Sequence, residues 1–212
     1  MTAQPRRPRR PAMLEPAMAE QIVGDEDPAI RSEIAHQTAQ VLVGEGRARA
    51  DDPELVTRLV TLVEREGLDA VATLWSRSPA TTLPGTLWRL YLLREWVRRD
   101  PRQVAERYRL GEGRAEVAGV VAGVAQPPGP REVLDACDAV LSGMFTGDLD
   151  VQLDRAAAFL RVLATGTALD ADWIDDDDDE LAFQVTRRAG ALLTTAEEFE
   201  AAAELCRAGR LD

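Results

Sequence analysis

Eight arginines and four large aromatics crowd into the stretch from Leu83 to Arg114. The arginines are Arg89, Arg94, Arg98, Arg99, Arg102, Arg107, Arg109 and Arg114, set against Glu95, Asp100, Glu106 and Glu112, so the stretch carries a net +4. Trp88, Tyr91, Trp96 and Tyr108 are interleaved with them. A guanidinium fork grips a carboxylate or phosphate through two parallel hydrogen bonds. Tryptophan and tyrosine supply the buried anchors of interfaces. The chemistry on offer is therefore recognition of an anionic group or an acidic protein surface. Trp88, Arg89, Arg94, Trp96, Arg98, Arg99, Arg102 and Arg107 are the expected partner-binding residues. A bland alternative stands beside this one: a core helix whose arginines are solvated or paired with acids elsewhere in the chain.

Charge elsewhere runs the other way. The whole chain carries −12 over 212 residues. Residues 1–13 hold +4, 14–82 hold −7 and 115–212 hold −13. An acidic molecule repels nucleic acid at long range, which argues against general coating of DNA. Local contact through Arg6, Arg7, Arg9, Arg10 and the basic stretch remains as an alternative. Every basic residue is arginine; lysine and asparagine are absent. Both missing types have AT-rich codons, so a GC-rich bacterial genome explains the bias. A lysine Schiff base and a Walker-type phosphate lysine are thereby excluded.

The run from Asp175 to Glu180, with Asp170 and Asp172 before it, is the opposite charge extreme. A calcium loop needs alternating acids and a glycine at its sixth position, and neither is present. Asp175, Asp176 and Asp179 superficially resemble the magnesium motif of all-helical isoprenoid synthases. Five consecutive aspartates match that pattern trivially, and the second metal motif is missing. A solvated acidic loop ahead of a helix N-terminus is the simpler reading. Pairing of this run with the arginine stretch inside the molecule is a further possibility. A helical enzyme with an Asp-cluster metal site stays as the most distant alternative.

Other motifs fall short of chemistry. His36 is the only histidine, and Glu33 at i−3 is its one candidate orienting partner. No serine sits in a nucleophile-elbow context. Cys137 and Cys206 form no CxxC and read as reduced thiols in helices. A helix-turn-helix over residues 101–125 fails on spacing, because Ala105 and Gly111 are six apart and the second helix lacks base-reading side chains. Leu110-Gly111-Glu112-Gly113 has neither the strand nor the spacing of a dinucleotide loop. Gly119 and Gly123 suit close helix packing. No cofactor and no metal site is expected.

The elements that must position these residues are helices. An apolar fraction of 45% with only 5% aromatic leaves Leu, Val and Ala to make the core, a composition that favours helix. Asp27-Pro28, Asp52-Pro53 and Asp100-Pro101 are start signals: aspartate caps the orphan amides, and proline fits the first helical position. Thr195 with Glu198 reads as a capping box. Helices are expected near 28–43, 53–65, 68–77, 84–99, 101–109, 114–125, 131–144, 149–165, 179–193 and 196–208. Gln126-Pro127-Pro128-Gly129-Pro130 must break the chain.

The expected fold is all-α, a compact bundle of about eight to ten helices in two lobes. A Pro/Arg tail over 1–23 precedes an N-terminal lobe at 24–125 and an acidic C-terminal lobe at 131–212, packed as one unit. The N-terminus lacks an apolar signal region and no run is long enough to span a membrane, which points to the cytoplasm. The functional expectation is a non-catalytic interaction or regulatory protein that binds a protein or anionic partner through the arginine and aromatic helix.

Overall fold

In a computed structural model, the structure describes residues 27–44, 67–112, 114, 127–141, 148–171 and 179–212. Seven α-helices and no strand occur among them. They are α1 (Pro28–Val43), α2 (Leu68–Trp75), α3 (Leu83–Arg99), α4 (Pro101–Glu112), α5 (Pro130–Leu141), α6 (Leu149–Ala171) and α7 (Asp179–Arg207). The expected helices at 53–65 and 114–125, the Gly119–Gly123 pair and residues 172–178 of the acidic run lie outside the described residues.

Local signals account for most boundaries. Asp27 Oδ1 accepts from the Ala29 amide at 2.9 Å, with Pro28 in the first turn. Gly44 closes α1 at φ +87°, a backbone region that disfavours side chains with a Cβ. Thr82 caps α3 by accepting from the Gly85 amide at 3.3 Å. Asp100 ends α3 and Pro101 starts α4; a proline has no N–H to continue the first helix, so the chain turns there. The proline-rich breaker is ordered by a long-range bond. Tyr108 donates its hydroxyl proton to the Pro127 carbonyl at 2.9 Å, and α5 begins at Pro130.

Two boundaries differ from expectation: α6 runs on to Ala171 rather than ending near 165, and no helix starts at Thr195. Thr195 is not a cap: α7 runs unbroken through it, and its hydroxyl donates to the Ala191 carbonyl at 3.0 Å. The reason is packing. Ala196, Phe199, Ala202 and Ala203 are fully buried, with Leu192 packed against the core. That stripe continues at 3.6-residue spacing on both sides of Thr195, so burial overrides the local capping preference.

α6 and α7 form an antiparallel pair. Arg161 binds Glu200 with two hydrogen bonds of 2.7 Å, and Arg207 binds Asp154 at 2.7 Å near the other end. α4 lies across α6, α3 lies against α5, and α1 and α2 close the α3 side. Trp75, wholly buried, donates its indole N–H to Thr38 Oγ1 at 2.9 Å and so ties α2 to α1. Buried residues from α1 to α7 make one contiguous core.

The crossing of α4 over α6 is backbone against backbone. A Cβ on Gly111 would sit 2.0 Å from the Val162 carbonyl oxygen, and one on Gly166 would sit 1.9 Å from that of Arg107. Neither obstacle is a side chain that can swing away. Gly111→Ala and Gly166→Ala are each expected to cost about 3 kcal/mol by forcing the helices apart. Thr195→Ala should change stability by less than about 0.5 kcal/mol, half or less of what losing a true N-cap costs. Urea denaturation of the three variants checks both.

Candidate functional site

α3 is the helix on which the expected site was placed. Leu83, Leu87, Leu90 and Val97 line its buried face, a spacing of i, i+4, i+7 and i+14 that keeps one stripe inward. The flanks of that stripe carry the arginines and aromatics, and the structure divides them into three groups.

The first group is turned into the molecule. Arg89 grips both carboxylate oxygens of Glu198 on α7 and also donates to the Gly85 carbonyl at 3.0 Å. Arg94 donates to Asp138 on α5 and to Glu95 at 2.7 Å. These guanidinium groups join helices: Glu198 and Asp138 come from sequence positions that α3 cannot reach locally, while Glu95 is a neighbour on α3 itself. Trp88 stacks on Tyr91 with ring centroids 5.5 Å apart. Tyr91 donates to Asp69 Oδ1 on α2 at 2.8 Å. Both rings are half-buried against the core.

The second group faces outward. Arg98, Arg99 and Arg102 are exposed at the corner where α3 meets α4. Arg99 reaches Glu95 only at 3.9 Å, with its side chain 76% exposed; a surface contact of that kind contributes little. Arg98 and Arg102 form no ion pair among the described residues.

The third group opens into a cleft of about 390 Å³ at the α3–α4 corner. Trp96 and Arg107 meet there with Asp100 and Gln103. Thr167 of α6 and Arg188, Ala191 and Leu192 of α7 complete it. Arg107 is buried and has a partner within the chain. Arg188 is exposed. Thr167 is wholly buried, and its hydroxyl is the one buried side-chain polar atom among the described residues without a hydrogen bond. Sequence reasoning placed Trp96 and Arg107 together but missed Gln103, Thr167 and Arg188. Thr167 is followed and preceded by small residues, Gly166 and Ala168, which mark a close crossing, but nothing local connects it to Arg188.

The remaining titratable candidates are structural. Cys137 is 1% exposed, and burial, followed by the neighbouring Asp138 carboxylate, pushes its thiol up to about 12. A thiol held neutral in this way is no nucleophile. Tyr108 is also pushed up to about 12, first by burial and then by Glu112 and Glu132. Tyr91 reaches about 12 through burial and its bond to Asp69. The orienting partner proposed for His36 is engaged elsewhere: Glu33 accepts from Gln37 at 2.6 Å, while His36 Nδ1 lies 2.7 Å from the Ser32 carbonyl. No group of three or more His, Cys, Asp or Glu side chains among the described residues is placed to hold a metal ion. No helix among the described residues is long and apolar enough to cross a membrane. Comparison with protein-family models, with curated proteins and with solved structures finds no match.

Two outcomes follow from this geometry. Arg89→Ala, which strands Glu198 at a half-buried contact, should cost about 1–2 kcal/mol, whereas Arg98→Ala should fall within about 0.5 kcal/mol of the parent in the same denaturation assay. At high pH, the raised thiol and phenol pKa values mean that the unfolded chain loses protons before the folded one does. The stability that these neutral groups contribute is fully present below pH 9 and declines from there, since the ordinary values are 9.0 for Cys137 and 10.0 for the tyrosines. In Cys137→Ala the decline should begin about one unit later, near pH 10, which denaturation midpoints measured from pH 7 to 11 will read.

Proposed function

We propose that this chain is a non-catalytic interaction or regulatory protein whose partner docks at the corner between α3 and α4. The observation that carries this reading is the division among the arginines. Arg89 and Arg94 are consumed by internal ion pairs. Arg98, Arg99 and Arg102 stand exposed within five residues of one another. Trp96, half-buried at the edge of this patch, supplies an aromatic anchor. Exposed guanidinium groups around an aromatic suit an acidic protein surface: charge complementarity speeds encounter and the aromatic gives residence. A cytoplasmic setting fits the cysteines, since Cys137 and Cys206 form no disulfide.

The test is site-specific photo-crosslinking in cells that make the protein. p-Benzoylphenylalanine placed at Arg99 should give a discrete protein adduct. The same group at Arg131, exposed on α5, should not. Adducts from neither position, or equally from both, would sink the proposal. An adduct containing nucleic acid would move the reading to a nucleic-acid-associated protein.

A further inference from the structure

Thr167 departs from what five other helical threonines do, and unlike Thr86 it finds no carbonyl elsewhere. Thr38, Thr73, Thr165, Thr194 and Thr195 each donate to the carbonyl four residues back in their own helix, at 2.8–3.1 Å. That bond is the ordinary resting place of a helical threonine hydroxyl. Thr167 does not make it, is wholly buried, and has no other partner among the described residues. A buried hydroxyl without a partner carries its full desolvation cost, and folded proteins rarely retain one. This one lines the cleft at the α3–α4 corner. The cleft is of a size that suits a small organic molecule.

The other walls say what kind of molecule. Arg188 brings an exposed guanidinium, with no ion pair to it among the described residues, and Arg107 adds positive potential from the wall even though it has a partner of its own. Trp96 offers an indole, and Ala191 and Leu192 extend that apolar surface. Asp100 also lines the cleft. Its carboxylate disfavours a multiply charged anion and favours a ligand with a hydrogen-bond donor of its own. We infer that the cleft formed by Trp96, Asp100, Gln103, Thr167 and Arg188 binds a small aromatic monocarboxylic acid that carries a donor group. The acid group is held by Arg188 and the Thr167 hydroxyl, and the ring lies on Trp96 and Leu192. This site shares Trp96 with the macromolecular surface at Arg98, Arg99 and Arg102 but uses different charged groups, Arg188 in place of those three, so loss of either set of charges tests one site without the other.

The experiment is a titration of the full chain with 4-hydroxybenzoate, followed through the indole ¹H–¹⁵N signal of Trp96, which Trp96→Phe identifies. The neutral 4-hydroxybenzamide and inorganic phosphate serve as controls. Saturable binding is expected at about millimolar or tighter, the range for a ligand of ten non-hydrogen atoms. Arg188→Ala and Thr167→Val should each weaken it at least tenfold, and Arg98→Ala together with Arg99→Ala should leave it unchanged. Thr167→Val should also raise the melting temperature of the ligand-free protein by about 2–5 °C, because it removes the unpartnered hydroxyl while keeping its shape. That opposition of stability and affinity is the signature of a group kept for a ligand. No saturable shift up to about 20 mM would overturn the inference. So would binding that survives Arg188→Ala or Thr167→Val, or an equal response to the benzamide or to phosphate.

Discussion

Gly111 and Gly166 let α4 and α6 touch along their backbones, and the remainder of the architecture depends on that contact. The carbonyls of Val162 and Arg107 occupy the space that a methyl group would need. Close approach brings Val104 and Tyr108 of α4 into the same buried layer as Phe159, Val162 and Leu163 of α6. Tyr108 stacks on Phe159 with centroids 5.6 Å apart. From that layer α4 leads back through Pro101 to α3, and α6 leads through its ion pairs to α7. The crossing also brings Arg107 of α4 and Thr167 of α6 to the lining of one cleft, with the Arg107 carbonyl against Gly166 next to Thr167.

Ion pairs then set the orientation of the outer helices. Arg89 with Glu198, Arg94 with Asp138, Arg161 with Glu200 and Arg207 with Asp154 each join two helices. All four are partly shielded, and those gripped through two nitrogens have the planar geometry that distinguishes arginine from lysine. In a chain whose only strong base is arginine, the same side chain must serve as strut and as contact surface. Location decides which. An arginine flanking the buried stripe of α3 meets a carboxylate from α5 or α7. One in the last turn of α3, Arg98 or Arg99, meets solvent.

Helix positions were legible because their causes are local. Asp27-Pro28 and Pro101 act within one turn, and the break before Pro130 follows from proline's missing N–H. The arginine and aromatic stretch was also legible as a region of dense functional groups. Thr195 misled because a capping motif competes with burial, and the energy of a cap, about 1 kcal/mol, is smaller than that of keeping Ala196, Phe199 and Ala203 in the core. The roles of individual arginines were not legible. Arg89 is 109 residues from its partner, and no pattern along the chain reports such a separation.

By itself the sequence determined that the described residues are all-α, that α1, α3, α4 and α5 start where they do, and that basic and acidic character are segregated. These depend on propensity, capping and composition, which act within a few residues. Only the tertiary structure decided which arginines are struts, that α7 passes through Thr195 unbroken, and that Trp96, Thr167 and Arg188 share a cleft. Those outcomes depend on how helices cross, and the crossing is set by two glycines 55 positions apart whose fit against opposing carbonyls exists only once the chain has folded.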